Sequence, residues 1–303
     1  MMTLRSLRRH PAVLKALTGL SVTVFDALLT EALPALAAAE QHRLSRPHRQ
    51  RAIGGGHPYA LAPAEQVLAA VIWLRLYPTD RVLGWLFGIE ETSVRRLRSR
   101  VVPVLVGLGN ATLVLPDPGR RLDQAGLLAA VPELAVIVDT YEQPVQRPKG
   151  RTSPDRWYSG KKKQHTGKVQ VLVVETTGQF VAVSETKPGP TNDLALLRES
   201  GVLERLSPEV AILGDLAYVG IAKLHKGGQT ARRKPRSKPR PAEDVPHNRA
   251  FARRRVVVEH SLQRLRRFAC VTERDRHHRV DDGRAVACAG LVNRQLRHQA
   301  SQC

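Results

Sequence analysis

Apolar residues recur at helical spacing through the first third of the chain and then change to short continuous or alternating runs. Val13, Leu17, Leu20, Val24 and Leu28 fall at intervals of three and four, which predicts one or two amphipathic helices between residues 11 and 40. Residues 41 to 60 lose the period and carry His42, Arg43, Arg46, His48, Arg49 and Arg51 before Gly54-Gly-Gly56, so they read as a basic linker or arm. From Leu61 to Leu105 three helical segments follow. Pro63 opens the first, which runs to about Leu76, and Pro78-Thr-Asp80 restarts the chain into a short second one. Gly88-Ile89 is a tight turn, and Glu91 to Arg100 begins a third whose polar face carries Arg95, Arg96 and Arg98. Helix, Gly-containing turn and basic helix is the pattern of a helix-turn-helix, whose second helix enters a DNA major groove. A helical bundle with a solvated basic face is the plainer alternative.

Beyond a Pro/Gly-rich break at Leu115-Pro-Asp-Pro-Gly119 and a short helix ending at Pro132, the pattern becomes that of a sheet. Leu134-Ala-Val-Ile-Val-Asp139 is an aliphatic run ending at a carboxylate and followed by polar residues and Pro144, which predicts a buried strand with Asp139 at its carboxyl end. Lys168 to Val174 and Gln179 to Ser184 alternate around Thr176-Thr-Gly178 and predict a β-hairpin. Thr191-Asn-Asp193 caps a helix carrying Leu194 and Leu197, and Glu209-Val-Ala-Ile-Leu-Gly-Asp215 is a second apolar run that stops at an aspartate. Arg253 to Phe268 reads as a further helix, with Glu259 inside it. Three strands, a helix, a strand and a helix is the order of a ribonuclease-H-like sheet. The division is therefore 1–60, N-terminal helices and basic linker; 61–115, helix-turn-helix domain; and 130–300, an α/β core of mixed sheet with flanking helices. A basic Pro-rich loop spans 226–247, within which Arg232 to Pro241 holds six cations and three prolines.

Charge narrows the class of partner. Lys and Arg outnumber Asp and Glu by 48 to 27, a net charge of +21 in 303 residues, which calls for a polyanion such as nucleic acid or an anionic membrane surface. The N-terminal stretch imitates a signal peptide, but Lys15, Asp26 and Glu31 make it too charged for a signal or spanning segment, so no membrane is expected. Three cysteines, Cys270, Cys288 and Cys303, make neither a disulfide framework nor a zinc ribbon, and a reducing cytoplasm fits them. His277-His278 lies among arginines with no partner at ligand spacing and reads as a basic surface loop.

Two strand-end aspartates and a helical glutamate, Asp139, Asp215 and Glu259, suggest a cage for hard divalent cations. Cutting or joining a phosphodiester requires a deprotonated water or 3′-hydroxyl and a neutralised leaving oxygen, and two Mg²⁺ ions supply both. Taken singly each carboxylate has a plainer role, Glu259 for instance as a partner of Arg255 or Gln263 on its own helix. Lys161, Lys162 and Lys163, with His165 beside them, are placed to contact phosphates, and Trp157 and Tyr158 read as buried aromatics or as a base-stacking pair.

In Asp139-Thr-Tyr-Glu-Gln-Pro144, Tyr158-Ser-Gly-Lys-Lys-Lys163, Gly214-Asp-Leu-Ala-Tyr-Val-Gly220 and Arg255-Val-Val-Val-Glu-His260 the chain resembles the DDE transposases of bacterial insertion sequences, most closely the IS5-like group and related DDE superfamily endonucleases. The resemblance spans roughly residues 60 to 298. It implies a ribonuclease-H-like core in which Asp139, Asp215 and Glu259 hold two Mg²⁺ ions, with Mn²⁺ as a substitute. It also implies an enzyme that binds the terminal inverted repeats of its element, nicks there and joins the freed 3′-hydroxyls to target DNA. The family's basic residues before and after the glutamate map onto Arg255 and Arg266, which at −4 and +7 lie near the Glu259 face and are suited to a phosphate. By the same analogy the working form is a homodimer or larger on double-stranded DNA, in the cytoplasm of a bacterium at the nucleoid. Thr140-Tyr141 and Leu216-Ala217 depart from the family's usual residues without removing a ligand. A copy that has lost catalysis and acts as a DNA-binding regulator is the rival reading; an RNA-associated factor is disfavoured, since aromatics are only 4% and no RNA-stacking motif is present.

Overall fold

The structure is a computed structural model. It describes residues 1–45, 58–117, 134–147, 154–237, 239–276 and 283–302. Most of the basic linker, the short helix expected before Pro132 and the His277-His278 pair fall outside these ranges. The chain forms two compact units, one of Met1–Ala111, Arg267–Glu273 and Gly283–Cys303, the other of Thr112–Arg266 and Arg274–Asp282.

The first unit is helical. Its N-terminal helices are α1 (Leu4–Arg8), α2 (Pro11–Thr18) and α3 (Val22–Leu44), followed by α4 (Pro63–Leu76), α5 (Asp80–Phe87) and α6 (Glu91–Asn110). The sequence predicted the last three, and the reasons are local. Pro63 occupies the first turn of α4, where its missing N–H costs nothing; the Thr79 hydroxyl caps α5 by accepting from Val82 N; and Gly88 ends α5 in the left-handed conformation. Every residue of α4 from Gln66 to Leu74 is buried, so α4 is the helix around which this unit packs.

Helix α3 is long and apolar enough, by length and composition, to cross a bilayer, contrary to the expectation that its charges forbid it. Within the unit its Val24, Phe25, Leu28, Leu29, Ala32 and Leu36 face is buried, Asp26 pairs with Arg8 at 2.6 Å, and Glu31 pairs with Arg294. The C-terminal helix, Gly283–Ala300, is part of this unit. Its seat is a glycine contact: a Cβ on Gly290 would lie 2.4 Å from the Cα of Gly109 in α6, so the two backbones approach at a point that admits no side chain.

The second unit is a mixed sheet. Its strands are β1 (Ala135–Pro144), β2 (Tyr158–Ser159), β3 (Gln164–Val174), β4 (Phe180–Val183), β5 (Lys187–Pro188), β6 (Ala211–Gly214) and β7 (Gly228–Thr230), with α7 (Asp193–Glu199) before β6 and α8 (Asp244–Arg266) after β7. β3 carries β2, β4 and β5 on one side and β1 on the other, and the order continues β1-β6-β7. β1 runs antiparallel to β3, whereas β6 lies parallel to β1 and β7 parallel to β6. The long strands β1, β3 and β4 run antiparallel and β6 and β7 continue the sheet in parallel beyond β1, with α7 before β6 and α8 after β7: this is the ribonuclease-H-like sheet expected from the order of elements, with β7 as an added strand. One face packs Val136, Val138, Leu172 and Ile212 against Leu197, Tyr218 and Ile221.

Three boundaries differ from expectation. β1 does not stop at Asp139: it runs on to Pro144, paired with β3 as far as Thr166, and Tyr141 is buried at 4% exposure. The polar look of Thr140 to Gln143 suggested an end, but the long partner β3 satisfies their backbone groups. Helix α8 begins at Asp244 rather than near Arg253, because Pro246 falls in its first turn, where proline is tolerated. β7 and the early start of α8 take up parts of both ends of the expected 226–247 loop.

Candidate active site

Strand register alone sets Asp139 beside Asp215. In the parallel pair Ile137 lies opposite Leu213; two residues further on, the same register sets Asp139 against Asp215. Adjacent strands are about 4.8 Å apart, and directly neighbouring residues of parallel strands share a face. β6 ends at Gly214, so the sheet opens on this side of β1 at the level of Asp139. The aspartate therefore stands in mid-strand and still at an open sheet edge.

Local hydrogen bonds hold each carboxylate. Asp139 Oδ1 accepts from Thr140 N at 2.8 Å, and Asp215 Oδ1 accepts from Ala217 N at 2.9 Å, capping the short turn Leu216–Tyr218. The Tyr218 side chain closes over Gly214, where a Cβ would lie 2.5 Å from the Tyr218 Cβ and 2.7 Å from its ring, so only glycine fits before the second aspartate. Burial raises the Asp139 pKa, the Thr140 N–H and the Arg255 guanidinium lower it, and the charges of Asp215 and Asp193 raise it again; the net direction is upward. That balance reports the second aspartate close by.

Helix α8 lies against β1 and β3 and is fastened at two points. Arg254 donates to both oxygens of Glu175, at 2.5 and 2.8 Å, and the Ser261 hydroxyl donates to the carbonyl of Gly178 at 2.7 Å. Between these points Arg255 Nη2 donates to Asp139 Oδ2 at 3.4 Å, and its Nε is buried without a partner. Glu259 follows one turn later, on the same helix face as Arg255 but exposed to solvent. Among the described residues Glu259 has no hydrogen bond or ion pair, so the Arg255 and Gln263 pairings it might have made on its own helix are not formed. No group of three His, Cys, Asp or Glu side chains among the described residues is gathered tightly enough to cage an ion. The structure thus brings Asp139, Asp215 and Arg255 together and leaves Glu259 one helical turn outside.

Two carboxylates are nonetheless a fitting donor set for Mg²⁺, which commonly takes one or two from protein and completes its octahedron with water and phosphate oxygens. Burial first, and the Asp215 and Asp193 charges after it, raise the Asp139 pKa, and a cation at this edge would favour the ionised carboxylate.

A polar layer behind the aspartates was not legible in the sequence. Lys168 Nζ, nearly buried, donates to Asp193 Oδ1 at 2.7 Å and to Thr191 O at 2.6 Å. Gln170 Nε2 donates to the Tyr218 hydroxyl at 2.9 Å and to Asp193 O at 3.1 Å. Lys168 and Gln170 occupy the polar positions of an alternating strand, which ordinarily means the solvent face; here that face is covered. Burial pushes the Tyr218 phenol well above its ordinary range.

The residues expected to touch phosphates divide. Lys161, Lys162 and Lys163 are exposed in the turn between β2 and β3, Lys163 in the left-handed region at φ 54°. Tyr158 stands edge-on to His165 at 5.6 Å and is 43% exposed. Arg266, exposed, ends α8 two turns beyond Glu259. On α6, Arg95 and Arg96 are exposed, but Arg98 is not available to a ligand. Its guanidinium donates to Asp80 at 2.9 Å and lies 4.4 Å over the Trp73 ring, with the side chain 12% exposed, so it braces the helices instead. The expected role of Arg98 in DNA contact is corrected accordingly.

Known proteins bear on this arrangement. Residues 138–293 match the family model described as "DDE superfamily endonuclease", and residues 59–110 match "Helix-turn-helix of DDE superfamily endonuclease". A "Probable transposase for insertion sequence element IS702" from Microchaete diplosiphon is 32% identical over 235 residues, covering 77% of this chain and 80% of the relative. Among solved structures, a Mos1 transposase paired-end complex with left transposon end aligns at 12% identity over 84% of this chain and 82% of that one, with a TM-score of 0.23. A Mos1 mariner paired-end complex with Mn aligns at 15% identity over 82% and 80%, with a TM-score of 0.21. Superposition that loose adds nothing to the strand order. The family match and the identity to the curated relative are sufficient: this chain belongs to the DDE superfamily endonucleases, in the company of insertion-sequence transposases.

Proposed function

We propose that the protein is the transposase of a bacterial insertion sequence, which binds the terminal inverted repeats of its element, nicks there and joins the freed 3′-hydroxyls to target DNA. The observation that carries this reading is the β1–β6 register that sets Asp139 beside Asp215, with Arg255 reaching Asp139 from the helix that bears Glu259.

Asp139 and Asp215 would hold divalent metal, with Glu259 joining them when DNA draws α8 inward. The metals, when bound, supply Lewis-acid charge at the scissile phosphate and an activated oxygen nucleophile. The protein's own part is placement. Arg255 keeps the Asp139 carboxylate oriented and adds positive charge where a phosphate arrives; Arg266 and Lys161 to Lys163 are exposed cations suited to its flanking neighbours. The α5–α6 pair presents Arg95 and Arg96 to a major groove, while Arg98 fixes the angle between the helices. Two ends processed together require at least two copies of the chain.

The test is nicking of supercoiled plasmid in Mg²⁺ by the full chain and by Asp215→Ala. Relaxation by the first and none by the second is expected. Duplex binding with no relaxation by the unaltered chain would instead establish a DNA-binding regulator.

A further inference from the structure

The segment between β7 and α8 carries a concentration of charge that the active site does not use. Arg233, Lys234, Arg236 and Arg240 are exposed, and among the described residues none has an ion pair or hydrogen bond. Pro235, Pro239 and Pro241 disfavour helix and central strand in this stretch, and its described part turns at Arg236–Ser237, with Ser237 at φ 69°. Such a stretch is ordinarily a free, solvated excursion. Here its base is pinned. Arg232 N donates to Asn248 Oδ1 at 2.8 Å, and Asn248 Nδ2 donates back to Arg232 O at 3.0 Å, so the amide of a helical side chain stands in for a neighbouring strand. The Arg232 guanidinium also reaches Asp244 Oδ1 at 3.2 Å, and Asp244 is only 6% exposed. Both partners lie in the first two turns of α8.

The place from which the segment springs matters as much. β6 and β7 are parallel and end together, Gly214 opposite Thr230. Asp215 follows the first and the basic segment follows the second, so the cations leave the sheet at the edge that carries the two aspartates. The chain then returns through the helix whose Arg255 touches Asp139.

We propose that the cations Arg233, Lys234, Arg236 and Arg240 form a clamp for duplex DNA, contacting backbone phosphates beside the cleavage point independently of sequence, with Asn248 and Asp244 holding its base. The identity of the polyanion rests on the transposase reading; the positions of the cations do not. The predicted signature is thermodynamic, because each phosphate neutralised contributes about 0.9 to the slope of log K against log[salt].

The experiment measures binding of the full chain to a 40-base-pair duplex of arbitrary sequence in Ca²⁺, across 50 to 200 mM salt. The chain is compared with a variant carrying Arg233→Ala, Lys234→Ala, Arg236→Ala and Arg240→Ala. Loss of four contacts would reduce the slope by about 3.6, so the unaltered chain would lose about 150-fold more affinity than the variant over that range. A reduction of two or more, with the thermal midpoint retained, is the expected result; a smaller one overturns the clamp. Asn248→Ala keeps every cation and releases the base, and a loss of affinity of about threefold or more is expected, whereas unchanged affinity overturns the role given to Asn248. Plasmid nicking by the unaltered chain, scored alongside, separates the two ideas: an unchanged slope with nicking intact removes the clamp alone, and absent nicking with the slope effect intact removes the transposase alone.

Discussion

Breaking the Arg254–Glu175 pair is expected to loosen the active site without touching it. The two hydrogen bonds, at 2.5 and 2.8 Å, tie the middle of α8 to the end of β3, next to the turn of α8 that carries Arg255. Glu175 is 18% exposed and Arg254 35%, so the pair is neither a surface ion pair worth a few tenths of a kcal/mol nor a buried one. Charge-assisted bonds in a bidentate pair contribute about 1.5–3 kcal/mol, and the solvent reaching Arg254 lowers that, so Arg254→Ala is expected to cost about 2 kcal/mol. In a domain of this size such a loss lowers the thermal midpoint by about 4–8 °C. A double-mutant cycle with Glu175→Ala isolates the pair and is expected to return a coupling of about 1–1.5 kcal/mol. Below the melting range, plasmid nicking by Arg254→Ala is expected to slow by about tenfold or more, since small displacements of catalytic groups are costly. A coupling below about 0.3 kcal/mol, or nicking at the unaltered rate, would refute the view that this pair positions α8.

Gly290→Ala is expected to force α6 and the C-terminal helix apart, because its Cβ would lie 2.4 Å from the Gly109 Cα; overpacking of this kind costs about 1–3 kcal/mol, and an unchanged melting midpoint would contradict the contact. Asp139→Asn is expected to abolish nicking and yet raise the midpoint of the metal-free protein near pH 7. The folded pKa of Asp139 lies above its unfolded value of 3.8, so whatever stability this group contributes is present below pH 3.8 and lost as pH rises through the folded pKa. The advantage of the variant therefore shrinks as pH falls below about 4, and melting curves at pH 7 and pH 3.5 that differ by the same amount between the two proteins would disprove the assignment.

Local signals in the sequence were reliable where the physics is local. Asn192 caps α7 by accepting from Ala195 N, Thr79 caps α5, and Gly178 turns the β3–β4 hairpin at positive φ, all of which follow from neighbouring residues. The end of β1 was misjudged because the residues that prolong it lie in β3, some two dozen or more positions away. Arg95 and Arg98 look alike in the sequence, three apart on one helix. Both reach Asp80, Arg98 at 2.9 Å and Arg95 at 3.8 Å, but only Arg98 also lies over the Trp73 ring, so it is an internal brace while Arg95 stays 66% exposed. Lys168 and Gln170 were hidden for the converse reason: in a strand, the alternation that marks a solvent face marks equally well a face covered by polar partners. The two aspartates were legible as ends of aliphatic runs, but their adjacency is a matter of register, which no single strand encodes.

The proposed transposase requires Glu259 to join Asp139 and Asp215 around shared metal once DNA is present, although it stands exposed one turn from Arg255. The most direct measurement is the free Mn²⁺ signal in electron paramagnetic resonance, titrated in the presence of a duplex oligonucleotide, for the unaltered chain and for Asp139→Asn, Asp215→Asn and Glu259→Gln. Each variant is expected to bind Mn²⁺ at least about tenfold more weakly than the unaltered chain, as loss of a direct ligand should exceed the 10–100-fold effects of outer-shell changes or match their lower end. Glu259→Gln binding as tightly as the unaltered chain, while the two aspartate variants lose the ion, would contradict the three-carboxylate site.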